Sequence, residues 1–171
     1  MQAVANCAVL IIPGMLICND RGKLTWIEIT GFILWIFSYY IEASSDAQKR
    51  NFIVAKKKAK DHTAVCNIGW WKYSRHPNYF GEWMVWNSQC VMATQSVLNL
   101  EIELWQKALI FYTFAMLSIL MFYCLVLWTG TKPAEAGSVV RRPGYKAYQQ
   151  STSMLFPWFP NQKPENWIMR F

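Results

Sequence analysis

The sequence predicts an all-α, polytopic helical membrane protein with about four membrane helices, a cytoplasmic basic loop and a C-terminal tail. Three observations carry that prediction. Of the 171 residues, 54% are hydrophobic, and they gather into blocks near the ~20 residues a bilayer core demands. Strongly polar stretches separate the blocks. Most of the Lys/Arg excess behind the net charge of +7 sits in two segments beside apolar blocks. There it reads as topology charge and as contact with anionic headgroups or phosphates, not as a nucleic-acid surface. The length fits one domain, residues 1–171.

The elements follow in order. Residues 1–18 are uncharged and mostly apolar, with no basic n-region and no clear cleavage site, so they read as a membrane helix bent at Pro13-Gly14 rather than a signal peptide. Residues 24–43 form the second span, with Glu28 and Glu42 near its ends and a dense centre from Phe32 to Phe37. Residues 44–77 are polar and basic, eight Lys or Arg against Asp46 and Asp61. The second helix is expected to run on into them, because Glu42, Asp46, Lys49 and Arg50 recur at helical spacing. Residues 78–96 are apolar but interrupted by Glu82, Asn87, Ser88 and Gln89, a pattern suited to a polar cavity rather than to lipid. Residues 105–128 are the cleanest span, and a polar, Pro-containing tail follows. The positive-inside rule places residues 44–77 and the tail in the cytoplasm and residues 98–104, with Glu101 and Glu103, on the far side, which four crossings satisfy. The five cysteines are scattered without a CxxC pair or a Cys/His cluster, so no metal site and no disulfide framework is expected.

The chemistry concentrates in Gly69-Trp70-Trp71-Lys72-Tyr73-Ser74-Arg75-His76-Pro77-Asn78-Tyr79-Phe80-Gly81-Glu82. His76 precedes a proline and is biased away from helical dihedrals, whereas Pro77 suits the first helical position. His76 is therefore a candidate N-cap, and a helix N-terminus beside Arg75 is a ready anion site. Asn78, Glu82 and Gln89 share one face of that helix, with Tyr79, Trp83 and Trp86 on the adjacent face. A cationic mouth would thus lead to a polar stripe inside an apolar helix. The plainer alternative stays open: an Arg-His pair that only anchors the chain at the interface, and a Glu82 satisfied by a neighbouring helix.

The run from Tyr73 to Glu82 resembles the signature of the steroid 5α-reductase C-terminal-like family of membrane proteins. Two further stretches agree in order and spacing: Glu42-Ala43-Ser44-Ser45-Asp46-Ala47-Gln48-Lys49 upstream, and Arg142-Pro143-Gly144-Tyr145-Lys146-Ala147-Tyr148 with Thr152-Ser153 and Phe156-Pro157-Trp158-Phe159-Pro160 downstream. The resemblance covers most of the chain. It implies a helical membrane fold, NADPH as cofactor, and reduction of a carbon–carbon double bond in a lipid-like substrate. It further implies an endoplasmic reticulum location for a eukaryotic source. Cofactor contacts would fall on Asp46, Tyr73, Asn78, Glu82, Arg142, Tyr145 and Tyr148. Arg75, Lys49 and Arg142 suit phosphates, Arg bidentately, and His76 and Tyr79 complete the cofactor-binding set at the corner. For single residues a structural role stays open: Tyr145 and Tyr148 as tail packing, Asp46 as an i,i+4 partner of Arg50, and Lys56-Lys57-Lys58 as a solvated run.

The chain departs from the steroid reductases at two places. Thr131 to Arg142 holds no histidine where those enzymes carry a histidine-rich stretch. The N-terminal helices that supply their carbonyl-polarising Glu and Tyr have no counterpart, so the chain is expected to be a partial or short form and no catalytic acid is assigned. Two other functions compete. An isoprenylcysteine-type carboxyl methyltransferase shares an Arg-His-Pro-x-Tyr motif and a following Glu but binds S-adenosylmethionine. A non-catalytic scaffold would keep only the fold. The expected partners are the bilayer and a lipid-like substrate.

Overall fold

The computed structural model describes residues 13–18, 22–128 and 130–161, and these residues form helices and no strand. After a helical stretch at residues 13–18 come α1 (Trp26–Lys58), a 3₁₀ turn (Gly69–Lys72), α2 (Pro77–Asn99), α3 (Leu104–Tyr123) continued by a π-helical turn (Cys124–Trp128), α4 (Thr131–Arg141) and α5 (Tyr145–Ser151). The chain divides into two compact units. One comprises Met1–Tyr40 and Gly81–Leu125, the other Ile41–Phe80 and Val126–Phe171.

Local sequence sets each helix boundary. Thr25 and Glu28 form a reciprocal cap at the start of α1: the Thr25 N–H and hydroxyl donate to Glu28 Oε2 at 2.7 and 2.8 Å, and the Glu28 N–H reaches Thr25 Oγ1 at 3.5 Å. The helix then runs through the basic segment, as the helical spacing of its charges predicts, with Lys56, Lys57 and Lys58 in its last turn where the macrodipole favours cations. It stops at Lys60, which takes a left-handed φ of 56°. The Lys60 N–H donates to the Lys57 carbonyl at 3.1 Å and the Asp61 N–H to that of Lys56 at 2.9 Å, the paired bonds of a Schellman ending. Helix α2 starts at Pro77, with the Phe80 N–H donating to the His76 carbonyl at 3.1 Å. Glu103 and Gln106 make a capping box at the start of α3.

The first unit is apolar. Ala93, Val97 and Phe114 form its buried centre, with Leu16, Ile17, Cys90, Ile110 and Phe111 against them. Gly31 lets α1 approach α2 closely: a Cβ there would lie 2.8 Å from the Met92 backbone nitrogen. Asn87, assigned by sequence to a cavity lining, instead helps join α2 to α3. Its Oδ1 accepts from Ser118 Oγ at 2.7 Å, and Trp83 Nε1 donates to the Ser118 carbonyl at 3.1 Å. The outer faces stay apolar, with Phe32, Ile33, Ile36 and Phe37 exposed on α1 and Leu109, Met116, Ile119 and Leu120 on α3.

Among the described residues, one helix, beginning at Leu104, is long and apolar enough to cross a membrane. Trp, Tyr and Glu dilute the apolar part of α1, and amides and hydroxyls dilute α2. Of the expected spans, residues 1–18 lie largely outside the described residues.

The second unit is built on the C-terminal half of α1. Trp70 and Trp71 hook onto it: Trp70 Nε1 donates to Ser44 Oγ at 2.9 Å, Trp71 Nε1 to the Ser45 carbonyl at 2.8 Å, and the Trp70 N–H to Gln48 Oε1 at 2.9 Å. Gly69 makes the hook possible, since its φ is +53° and a Cβ would overlap the Gln48 amide. The tail is tied to the same corner. The Arg75 N–H donates to the Ser153 carbonyl at 2.8 Å, the Trp158 N–H to that of Tyr73 at 2.9 Å, and Ser74 Oγ to that of Leu155 at 2.7 Å.

Candidate functional site

The second unit holds a buried charge network whose centre, Glu135 of α4, was not among the residues the sequence nominated. Arg75 Nε donates to Glu135 Oε1 at 2.7 Å, with Nη2 and Oε2 3.4 Å apart. His76 Nε2 lies 3.0 Å from the same Oε1, and Gln149 Nε2 donates to Oε2 at 2.6 Å. Arg75 Nη1 also donates to the carbonyls of Gln149 at 2.8 Å and Thr152 at 2.6 Å. The Arg75 guanidinium is thus committed to holding α4 and α5 against the corner. One signal was available in the sequence: Glu135 is the sole acid between Thr131 and Arg142, amid Lys132, Arg141 and Arg142.

Burial opposes the charge on Glu135, but hydrogen bonds from His76, Arg75 and Gln149 outweigh it and hold the carboxyl down to about 2. For His76 burial wins. Its pKa falls below the ordinary imidazole value despite Glu135, so the ring stays neutral at physiological pH. Tyr79 stacks on that ring, with centroids 5.4 Å apart.

Beside this network lies a small recess of about 30 Å³, lined by Lys49, Arg75, His76, Arg142, Tyr145 and Tyr148 together with Cys66, Trp71, Ala134 and Ser138. It brings together six of the eleven nominated residues. Two of its cations, Lys49 and Arg142, form no ion pair among the described residues. Lys49 Nζ sits 3.9 Å from the Trp71 ring centroid. Burial lowers its pKa, and Arg142 adds to that, against Cys66 and Asp46. Burial raises the Cys66 thiol, opposed by Lys49. Tyr145 is pushed up to about 12 by burial and then by the charge of Glu135. Tyr148 is also raised by burial, and its hydroxyl donates to the carbonyls of Trp71 and, at 3.3 Å, Ser74. Tyr148 therefore ties α5 to the tryptophan hook as well as walling the recess.

The remaining nominated residues are placed as follows. Asp46 is half-buried on α1, one turn before Lys49, and forms no ion pair with Arg50. Tyr73 meets Phe159 edge-on at 6.0 Å. Asn78 carries a buried Oδ1 without a hydrogen-bond partner. Glu82, one turn further along α2, belongs to the first unit. No group of His, Cys, Asp and Glu among the described residues is arranged to hold a metal.

The model of a family described as "Protein of unknown function (DUF1295)" matches residues 1–152. The chain is similar to the Delta(14)-sterol reductase ERG24 of Saccharomyces cerevisiae, 32% identical over 76 residues, which are 40% of this chain and 17% of that protein. No solved structure matches.

Proposed function

The chain belongs to the DUF1295 family, a reductase-like membrane family, and from that premise we propose that it is a membrane oxidoreductase using NADPH to reduce a carbon–carbon double bond in a lipid-like substrate. The observation that carries this reading is the recess itself. Sequence positions as distant as Lys49, His76 and Arg142 meet there, and two of the cations, Lys49 and Arg142, form no ion pair among the described residues. Two half-buried cations side by side repel one another, and a pyrophosphate is a chemically suitable partner for both.

Asn78 supports the same reading. A buried acceptor without a donor costs on the order of 1–3 kcal/mol, and a ribose hydroxyl or carboxamide N–H would satisfy Oδ1. In this reading Lys49 and Arg142 hold phosphates, while Asn78, Tyr145 and Tyr148 orient the ribose or the amide. The Glu135 network keeps the corner rigid. NADPH supplies the hydride; the chain supplies position and charge. Four helices crossing the bilayer, with the basic segment and tail on the cytoplasmic side, complete the proposal.

Equilibrium binding of NADPH and of S-adenosylmethionine to the detergent-purified chain tests it. NADPH is expected to bind, and Lys49→Ala or Arg142→Ala to weaken it by about tenfold or more, the loss of one charge-assisted contact. Preference for S-adenosylmethionine would move the chain to the methyltransferases. Binding of neither would leave a scaffold.

A further inference from the structure

The recess of the second unit is small, and its charge is one-sided. Its volume of about 30 Å³ admits one or two bodies the size of a water molecule, each of which needs roughly 10–15 Å³. Neither Asp nor Glu is among the residues that line it. Cys66, Trp71, His76, Tyr145 and Tyr148 are buried, and Lys49 and Arg142 are half-buried. Two cations thus edge a corner that is otherwise largely desolvated.

Most of its polar groups are committed. Arg75 serves Glu135 and the carbonyls of Gln149 and Thr152, and the Tyr148 hydroxyl serves that of Trp71. His76 meets Glu135, which also accepts from Arg75 and Gln149. Lys49 and Arg142 differ from these. Neither forms an ion pair among the described residues, and Asp46 favours the charge of Lys49 without closing to ion-pair distance. The two cations repel each other, and both favour negative charge at Cys66, a thiol that burial keeps protonated. An anion therefore gains from both cations beside that thiol. The Trp71 ring, with its centroid 3.9 Å from Lys49 Nζ, gives the place an apolar wall.

We propose that the recess is a halide site, in which chloride sits between Lys49 and Arg142 and competes with the cofactor's diphosphate. The halide site stands on the recess alone; the competition rests on the cofactor reading above and deepens it into regulation by an inorganic anion. Three features select a halide. Size admits a monatomic ion, whereas a diphosphate reaches the same cations only if the half-buried Lys49 and Arg142 side chains move outward. Charge favours a monovalent anion, since one such ion relieves the repulsion of two cations while Asp46 stays nearby. The wall of thiol and aromatic carbon offers few donors, which suits chloride and bromide and disfavours fluoride, whose hydration is harder to replace.

The test is thermal unfolding and NADPH binding by the full chain in detergent, with sodium chloride, bromide or gluconate at one fixed ionic strength, which removes the screening common to all three. Chloride and bromide should raise the melting temperature above gluconate along a saturating curve, as a ligand of the folded state does. The chlorine NMR signal should broaden with the protein and narrow again on adding bromide but not fluoride. The apparent Kd for NADPH should double at the chloride concentration that equals the chloride Kd. Lys49→Gln or Arg142→Gln should weaken the chloride effect by about tenfold or more, the loss of one charge-assisted contact. Lys57→Gln, in a separate open groove of about 230 Å³, should keep it. Equal melting temperatures in the three salts and no broadening, with NADPH binding intact, overturn the halide site and leave the reductase reading standing. Chloride stabilisation without nicotinamide binding supports the site and removes the reductase reading. A chloride effect that survives Arg142→Gln, or that leaves NADPH affinity unchanged, puts the ion outside the recess and overturns the proposal.

Discussion

At the residue scale, Glu135 decides more than any other side chain. It accepts from Arg75, Gln149 and the His76 ring in a site where the side chains of Glu135, Arg75 and His76 are each 10% exposed or less. Removing one member of a buried ion pair strands the other, at a cost of about 3–5 kcal/mol. Glu135→Gln and Arg75→Lys are therefore expected to lower thermal stability sharply, the second because one ammonium cannot replace five guanidinium donors. The network also fixes a pH dependence. The folded carboxyl is held near 2 against an ordinary 4.5, so its stabilisation is complete above 4.5 and is lost as pH falls toward 2. His76 lies below its ordinary 6.5 when folded, so the unfolded chain takes up its proton first and stability also declines as pH falls below 6.5. Thermal unfolding followed from about pH 8 to about pH 3 should show a two-stage loss. The Glu135→Gln chain should keep the upper stage and lose the lower one. A flat profile would dissociate both groups from stability.

At the element scale, ends and crossings carry the information. Lys60 closes α1 in a conformation that costs an L-residue about 1 kcal/mol or more and glycine nothing. Lys60→Gly should raise the melting temperature, and no gain would mean that the Schellman ending does not limit stability. Gly31 is the opposite case. Gly31→Val puts a side chain against the Met92 backbone, where no rotamer change relieves it. That variant should lose compact structure, seen as faster proteolysis, while Gly14→Ala, with open space at its Cβ, should not. The interrupted apolar run of α2 was legible as a warning against lipid exposure. Its resolution was not, because a hydrogen bond between Asn87 and Ser118 depends on which face of α3 meets α2.

At the scale of the molecule, the two units separate by chemistry. The first is largely apolar and exposes Phe32, Ile36, Leu109 and Ile119, a surface that water penalises and lipid accepts. The second holds the buried ions and the basic cavities. With a net charge of +7, binding of an anionic cofactor should weaken as salt rises, because screening shortens from about 10 Å at 0.1 M to about 3 Å at 1 M. A salt-independent affinity would argue against phosphate as the recognised group. The chain should also stay in the membrane fraction after an alkaline wash; recovery in the supernatant would contradict insertion.

Composition and spacing by themselves determined the helical class, the start of α2 at Pro77, the extension of α1 through the basic segment, and the Arg-His-Pro corner as the place to look. These follow from short-range physics: apolar periodicity, proline geometry, capping and charge. Only the tertiary structure decided that Arg75 is spent on Glu135 and two carbonyls, and that Lys49 and Arg142 are cations of the recess with no ion pair among the described residues. Only it separated Tyr148, bonded to the tryptophan hook, from a tyrosine that merely packs. Those outcomes turn on which groups, dozens of residues apart, end within hydrogen-bond reach in a desolvated corner. That is a matter of pairing at long range, which residue type and spacing leave open.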